Sequence, residues 1–260
     1  MAITSNLSHL AIGLGDGTVL LYRHLLQSLT TSPTALTSLP KARVILEPNE
    51  RAPDPITGLG FREGLVAGGK GAVTATALYV VTTNRVIAAP VSAKGGEART
   101  LDETGSGLGC SAMDWEKRDM IVARDEAIYL YSPDGRGACY AYEGSKSYVS
   151  VYKHNLVIVS PPMHAAAVRR AAVPRQSDVT DVAKITIFDL QNKLVAYTGI
   201  FRNGIRSLFS QWGGIFVYEG NGQVSYFVWR LTDTSSHGSK NTRHRQSSTS
   251  CTSATSSRSR

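Results

Sequence analysis

One short unit recurs along the chain: an apolar run, a tight polar turn, and a second apolar run. This recurrence limits the fold more than any other feature, because successive strand pairs at a period of about 40–50 residues are the mark of blade-like repeats. The first copy reads Leu10-Ala11-Ile12-Gly13-Leu14, then Gly15-Asp16-Gly17, then Thr18-Val19-Leu20-Leu21-Tyr22. An Asp-Gly pair between two apolar runs is a strong hairpin signal. The second is Leu78-Tyr79-Val80-Val81, Thr82-Thr83-Asn84-Arg85, Val86-Ile87-Ala88, and the third is Met120-Ile121-Val122-Ala123, Arg124-Asp125-Glu126, Ala127-Ile128-Tyr129-Leu130-Tyr131. Their turns at Asn84 and Asp125 lie 41 residues apart.

A fourth copy is split by an insertion: Leu156-Val157-Ile158-Val159 stands on one side and Lys184-Ile185-Thr186-Ile187-Phe188-Asp189 on the other. The fifth is Gly214-Ile215-Phe216-Val217-Tyr218, Glu219-Gly220-Asn221-Gly222, Gln223-Val224-Ser225-Tyr226-Phe227, with Asn221 96 residues beyond Asp125, or two further steps. Additional candidate strands at 56–61, 138–142 and 194–197 bring the count toward four per unit, and Ile187-Phe188-Asp189 stands where many blades carry Trp-Asp. The expected fold is all-β: a WD40-like β-propeller of about five blades over residues 1–231, with a β-sandwich as the alternative. Abundant glycine (24 residues) and few aromatics (8%) fit many short strands and tight turns.

Residues 232–260 read differently. More than half are Ser or Thr, and five basic residues stand against Asp233 alone, so this stretch holds half of the net charge of +8. With so little apolar surface to offset ordering entropy, a disordered tail is expected there. The abrupt change after Val224 suggests a retained intron or shifted frame. Without that stretch the chain is only mildly basic, which argues against nucleic acid as a partner.

Several motifs resemble catalytic or binding signatures. Gly13-Leu14-Gly15-Asp16-Gly17 superficially resembles the glycine-rich phosphate loops of nucleotide-binding proteins, but those lead from a strand into a helix, whereas these glycines lead into another β-type run. Cys110, Cys139 and Cys251 are odd in number and far apart, so neither a disulfide framework nor a Cys-rich zinc site is expected, and a reducing compartment fits best. His9, His24, His154 and His164 never fall at metal-binding spacing. Asp114, Asp119, Asp125 and Glu126 are acidic neighbours without any sign of a shared cleft. Cys110 is expected to be a small buried residue, and Trp115 and Trp212 to pack between blades rather than to anchor a partner. No stretch approaches the roughly 18 apolar residues of a membrane span, and the N-terminus has no secretory pattern, so membrane association is expected to run through partners or surface contacts.

The strings Leu78-Tyr79-Val80-Val81-Thr82-Thr83, Gly109-Cys110-Ser111-Ala112 and Val122-Ala123-Arg124-Asp125-Glu126 resemble the N-terminal propeller of the vacuolar protein sorting-associated protein 11 family. The likeness continues through Ser132-Pro133-Asp134-Gly135-Arg136-Gly137, Tyr142-Glu143-Gly144 and Asn192-Lys193-Leu194-Val195-Ala196-Tyr197, covering about residues 7–224. The resemblance implies a seven-bladed propeller followed by an α-solenoid and a zinc-binding RING. It also implies a shared core subunit of the HOPS and CORVET tethering complexes, which engage Rab GTPases and SNARE proteins at endosomal and vacuolar membranes. On that basis the opening blades are expected to be missing, and no solenoid or RING ligand array follows. The two end blades are then expected to expose apolar faces, and the isolated chain to be marginally stable.

The expected role is therefore a non-catalytic scaffold without cofactor or metal, cytoplasmic and peripheral on late endosome and vacuole membranes, in contact with other class C subunits. An RNA-associated protein, suggested by the Ser-Arg pairs at 257–260, and a propeller-based hydrolase are the competing readings. The inserted loop over 161–181 carries Arg169, Arg170 and Arg175, either as a contact for an acidic partner or anionic membrane or as a plain solvated loop.

Overall fold

The hairpin units build five antiparallel sheets, each from four strands taken in sequence order. The computed structural model describes residues 1–30, 41–48, 51–64, 76–91, 96–164, 181–231 and 249–256. The first sheet comprises β1 (Ala2–Ile3), β2 (His9–Gly13), β3 (Val19–Arg23) and β4 (Arg43–Leu46), with the short helix α1 (Leu25–Thr30) following β3. The second comprises β5 (Ile56–Arg62), β6 (Ala77–Thr82), β7 (Val86–Pro90) and β8 (Arg99–Asp102), and the third β9 (Ser111–Asp114), β10 (Asp119–Ala123), β11 (Ala127–Ser132) and β12 (Gly135–Ala141). The fourth holds β13 (Tyr148–Tyr152), β14 (Asn155–His164), β15 (Asp181–Asp189) and β16 (Leu194–Phe201). The fifth holds β17 (Ile205–Gln211), β18 (Gly214–Glu219), β19 (Val224–Leu231) and β20 (Thr249–Ser256). Four-stranded meanders repeated in this way are the blades of a WD40-like β-propeller.

Local chemistry sets each turn. Between β2 and β3, Leu14 N donates to Thr18 O at 2.9 Å, the Asp16 carboxylate accepts from Thr18 N at 2.9 Å, and Gly17 adopts φ +95°. A left-handed residue closing a three-residue hairpin loop demands glycine. At the end of β15, Asp189 Oδ1 accepts from Gln191 N at 2.8 Å and Asn192 N at 2.9 Å, so the residue in the Trp-Asp position pins the next turn.

Two compact units divide the chain, Met1–Lys153 and His154–Arg260. In the first, side chains alternate between two cores. Ala11, Val19 and Leu21 of the first sheet pack with Phe61, Leu78, Val80 and Ile87 of the second. Tyr79, Val81, Val86 and Ala88, from the opposite side of the second sheet, pack with Met113, Met120, Val122 and Tyr131 of the third. Each large side chain so buried contributes about 1.5–3 kcal/mol relative to exposure. A Cβ on Gly60 would lie 2.4 Å from the Met113 side chain, so the second and third sheets approach more closely here than any larger residue allows. In the second unit, buried Phe227 of β19 meets Tyr197 and Phe201 of β16 at ring separations of 4.9 and 6.4 Å.

Within residues 232–260 the described residues form one strand, β20. Thr249–Ser256 runs antiparallel to β19, from Leu231 opposite Thr249 to Val224 opposite Ser256. A β19 edge with free backbone groups gives a Thr-rich, β-compatible stretch a ladder to join, even where its side chains are polar. The other residues of 232–260 lie outside the described ones.

Candidate interaction surface

Most polar side chains buried in the first unit fix turns or join neighbouring sheets. Asp54, just before β5, accepts from Asn84 N at 3.2 Å, Asn84 Nδ2 at 3.0 Å and Arg85 Nε at 2.9 Å, clamping the β6–β7 turn. Burial alone would raise this carboxyl; the hydrogen bonds from Arg85 and Asn84 outweigh it and hold it below the usual range. Between the second and third sheets, the Tyr131 hydroxyl donates to Asp102 Oδ2 at 2.6 Å, while Arg124 lies 3.4 Å and Arg136 3.8 Å from the same oxygen. Burial first, and then the Asp102 carboxylate, push the Tyr131 hydroxyl well up. Asp102 itself is lowered, because the bond from Tyr131 and the Arg124 charge outweigh its desolvation.

Lys146 plays a related part. Its buried ammonium donates to the carbonyl oxygens of Arg124, Asp125, Tyr142 and Gly144 at 2.5–3.1 Å. Desolvation lowers its pKa, and the four carbonyls hold the segment after β12 onto the β10–β11 turn. Cys110 donates through Sγ to Lys146 O at 3.1 Å, and burial pushes its thiol up. It is the buried, unreactive residue that its sequence context suggests.

The neighbouring acids have separate tasks. Asp114 caps Glu116 N and Lys117 N, Asp119 pairs with Arg62 at 3.1 Å, and Glu126 accepts from the Tyr129 hydroxyl at 3.0 Å. His9, lowered chiefly by burial, contacts Ser8 Oγ through Nδ1 at 2.7 Å. Among the described residues, no three His, Cys, Asp or Glu side chains gather as a metal site. Arg169, Arg170 and Arg175 lie outside the described residues.

The two tryptophans depart from the expected packing. Trp115, on the β9–β10 turn, is 59% exposed, and Trp212, on the β17–β18 turn, is 85% exposed. Tight turns carry both outward: Arg118 (φ +61°) closes the first, and Trp212 itself adopts φ +45° in the second. Beside Trp115 a half-open cleft of about 170 Å³ is lined by Ser5, Phe61, Glu63, Met113 and Arg118. Its rim is fastened, with Ser5 N donating to Glu63 Oε1 at 2.5 Å and Arg118 Nη1 to Glu63 O at 2.8 Å. An apolar floor, an aromatic wall and a polar rim suit one large apolar side chain of a partner protein. The cleft is smaller than the roughly 300 Å³ at which drug-sized or cofactor pockets begin. Sequence reasoning missed Asp54, Asp102 and Lys146. Asp54-Pro55 ahead of a strand was a faint turn signal, and nothing marked the other two.

These features define a β-propeller module whose buried polar groups stabilise its blades and whose exposed aromatics sit on turns. The chain belongs to the PEP5/VPS11 family: the description "PEP5/VPS11 N-terminal" matches residues 1–228. It is 34% identical over 236 residues to the mouse vacuolar protein sorting-associated protein 11 homolog, covering 90% of this chain and 23% of the mouse protein. The human homolog is 33% identical over the same span and coverage. The chain thus spans about a quarter of the length of these relatives. Among solved structures, BamB from Moraxella catarrhalis is similar at a TM-score of 0.47 and 11% identity, over 91% of this chain and 59% of that one. At that distance the fold assignment rests on the five sheets themselves.

Proposed function

We propose that the chain is a non-catalytic scaffold module in vacuolar protein sorting. It acts within the HOPS and CORVET tethering complexes through other class C subunits, which link it to Rab GTPases, SNARE proteins and the cytosolic face of late endosome and vacuole membranes. The observation that carries this reading is that the family's N-terminal region, residues 1–228, spans the first four blades and reaches into the third strand of the fifth. Trp115 and its cleft supply a contact of the kind that protein interfaces use as an anchor. Residues 1–231 are assigned the contacts, with 232–260, the edge strand β20 included, dispensable for them.

The test is affinity capture of the tagged chain from cells, quantified for the class C subunits, alongside imaging of the tag. Enrichment of those subunits, endosomal and vacuolar signal, and retention of both after deletion of 232–260 are expected. A chain that captures none of them and stays diffuse overturns the reading.

A further inference from the structure

The Trp115 cleft is built from one position repeated in three sheets. Ile3 pairs with Leu10, Phe61 with Leu78 and Met113 with Met120, each across the first two strands of its own sheet. Two residues further along stand Ser5, Glu63 and Trp115, and all three line the cleft. Successive blades repeat one strand geometry, so their first turns come side by side within the first unit. Phe61 and Met113, both buried, form the floor, and the exposed Trp115 ring forms a wall.

The charges around this cleft are unevenly committed. Glu63 is held at both carboxylate oxygens, by Ser5 N and by Ser5 Oγ, each at 2.5 Å. Asp119 is paired with Arg62 at 3.1 Å, Asp114 accepts from Glu116 N and Lys117 N, and Glu116 is engaged as well. The two cations beside Trp115 differ from these acids. Among the described residues neither Lys117 nor Arg118 makes an ion pair. Arg118 spends one side-chain bond, from Nη1 to Glu63 O at 2.8 Å, and its remaining guanidinium donors are unused. Lys117 is exposed on the same turn.

We propose, resting on the scaffold reading above, that the cleft takes a segment of a partner protein in which one large apolar side chain stands next to a carboxylate side chain. The apolar group fills the space over Phe61 and Met113, against the Trp115 ring. The neighbouring carboxylate then meets the free charges of Lys117 and Arg118, and a guanidinium with spare donors can grip it through two parallel bonds. A basic neighbour in the same place meets two cations that already lack partners. The apolar anchor supplies affinity, and the charges decide which segments are accepted. A space of about 170 Å³ admits one such side chain, not the several anchors of a helix laid in a groove.

Titration of the isotope-labelled full chain with capped peptides, read at the Trp115 indole N–H, tests this. Acetyl-Gly-Asp-Phe-Asp-Gly-amide moves that signal to saturation. Asn in place of both Asp residues weakens binding about five-fold, Lys in their place weakens it further, and Ser in place of Phe removes it. Trp115→Phe assigns the signal, and the exposed Trp212 indole is the internal control. Lys117→Glu, at an exposed position, erases the preference for the Asp peptide over the Asn peptide while the Phe-dependent shift remains. Arg118→Leu is the second variant, with circular dichroism as the fold control for both. No shift at Trp115, equal binding of the Asp and Asn peptides, or a preference unmoved by Lys117→Glu would each overturn the proposal. Any of these results alongside intact capture of class C subunits leaves the scaffold reading standing; peptide binding without that capture does the reverse.

Discussion

Replacing Tyr131 by Phe removes one hydroxyl from the joint between the second and third sheets and leaves the buried ring in place. The lost bond is the 2.6 Å contact to Asp102 Oδ2, together with the 2.9 Å donation from Arg124 Nη2 to the hydroxyl. A hydrogen bond to a charged partner contributes about 1.5–3 kcal/mol, and Asp102 keeps Arg124 at 3.4 Å, so the net cost sits near the lower half of that range. For a chain of this size each kcal/mol moves the thermal midpoint by about 2–4 °C, so a fall of about 4–8 °C is expected by circular dichroism at neutral pH. The pH dependence has a definite sign. Asp102 is held below the ordinary carboxylate range, so its contribution is present above that range and is lost as pH falls through the folded-state value. The gap between wild type and variant therefore narrows in acid. Asp102→Asn should show a coupling of about 1 kcal/mol or more with Tyr131→Phe in a double-mutant cycle. A midpoint fall below about 1 °C, or a gap that persists unchanged at low pH, would refute the assignment of this pair as a fastening between sheets.

Three further outcomes are expected. Lys146→Met strips the ammonium from four part-buried carbonyls and costs about 1–3 kcal/mol in urea titration, because the charge-assisted bonds that pin this segment are lost. Gly105→Ala places a Cβ 2.0 Å from Thr82 O and 2.7 Å from Asn84 N, backbone atoms with little room to yield, and should cost about 3 kcal/mol; Gly15→Ala meets open space and should change the midpoint negligibly. Trp115→Ala should leave stability within about 0.5 kcal/mol while reducing recovery of class C subunits in affinity capture.

The fold was legible where alternation and turn chemistry agreed. β2–β3, β6–β7, β10–β11 and β18–β19 were readable because each pairs two strong apolar runs across a short polar turn. β5, β12 and β16 were placed to within a few residues. The outer strands were harder: Arg43–Leu46, Arg99–Asp102 and Ser111–Asp114 have four residues each and one well-covered side at most, so their patterns fade into the loops. β20 was hidden for another reason, since its Ser and Thr residues pair through the backbone and leave no apolar signature. The candidate site was less legible still. Asp54 and Arg85 are 31 residues apart, and Asp102 and Tyr131 are 29, so only a finished sheet brings them together. The tryptophans were misplaced because composition says that large aromatics bury themselves, while turn geometry decides which way they point.

Every sheet is made from one uninterrupted stretch of chain, strand beside next strand, so no hydrogen-bonded ladder waits for a distant segment. During synthesis each blade can pair completely as soon as its own four strands have left the ribosome, and the next blade then condenses on a surface already formed. Growth in such a molecule is vectorial. A lineage can lengthen or shorten it by whole blades without re-pairing any strand, and the cost of each such change falls on the two faces it opens or closes.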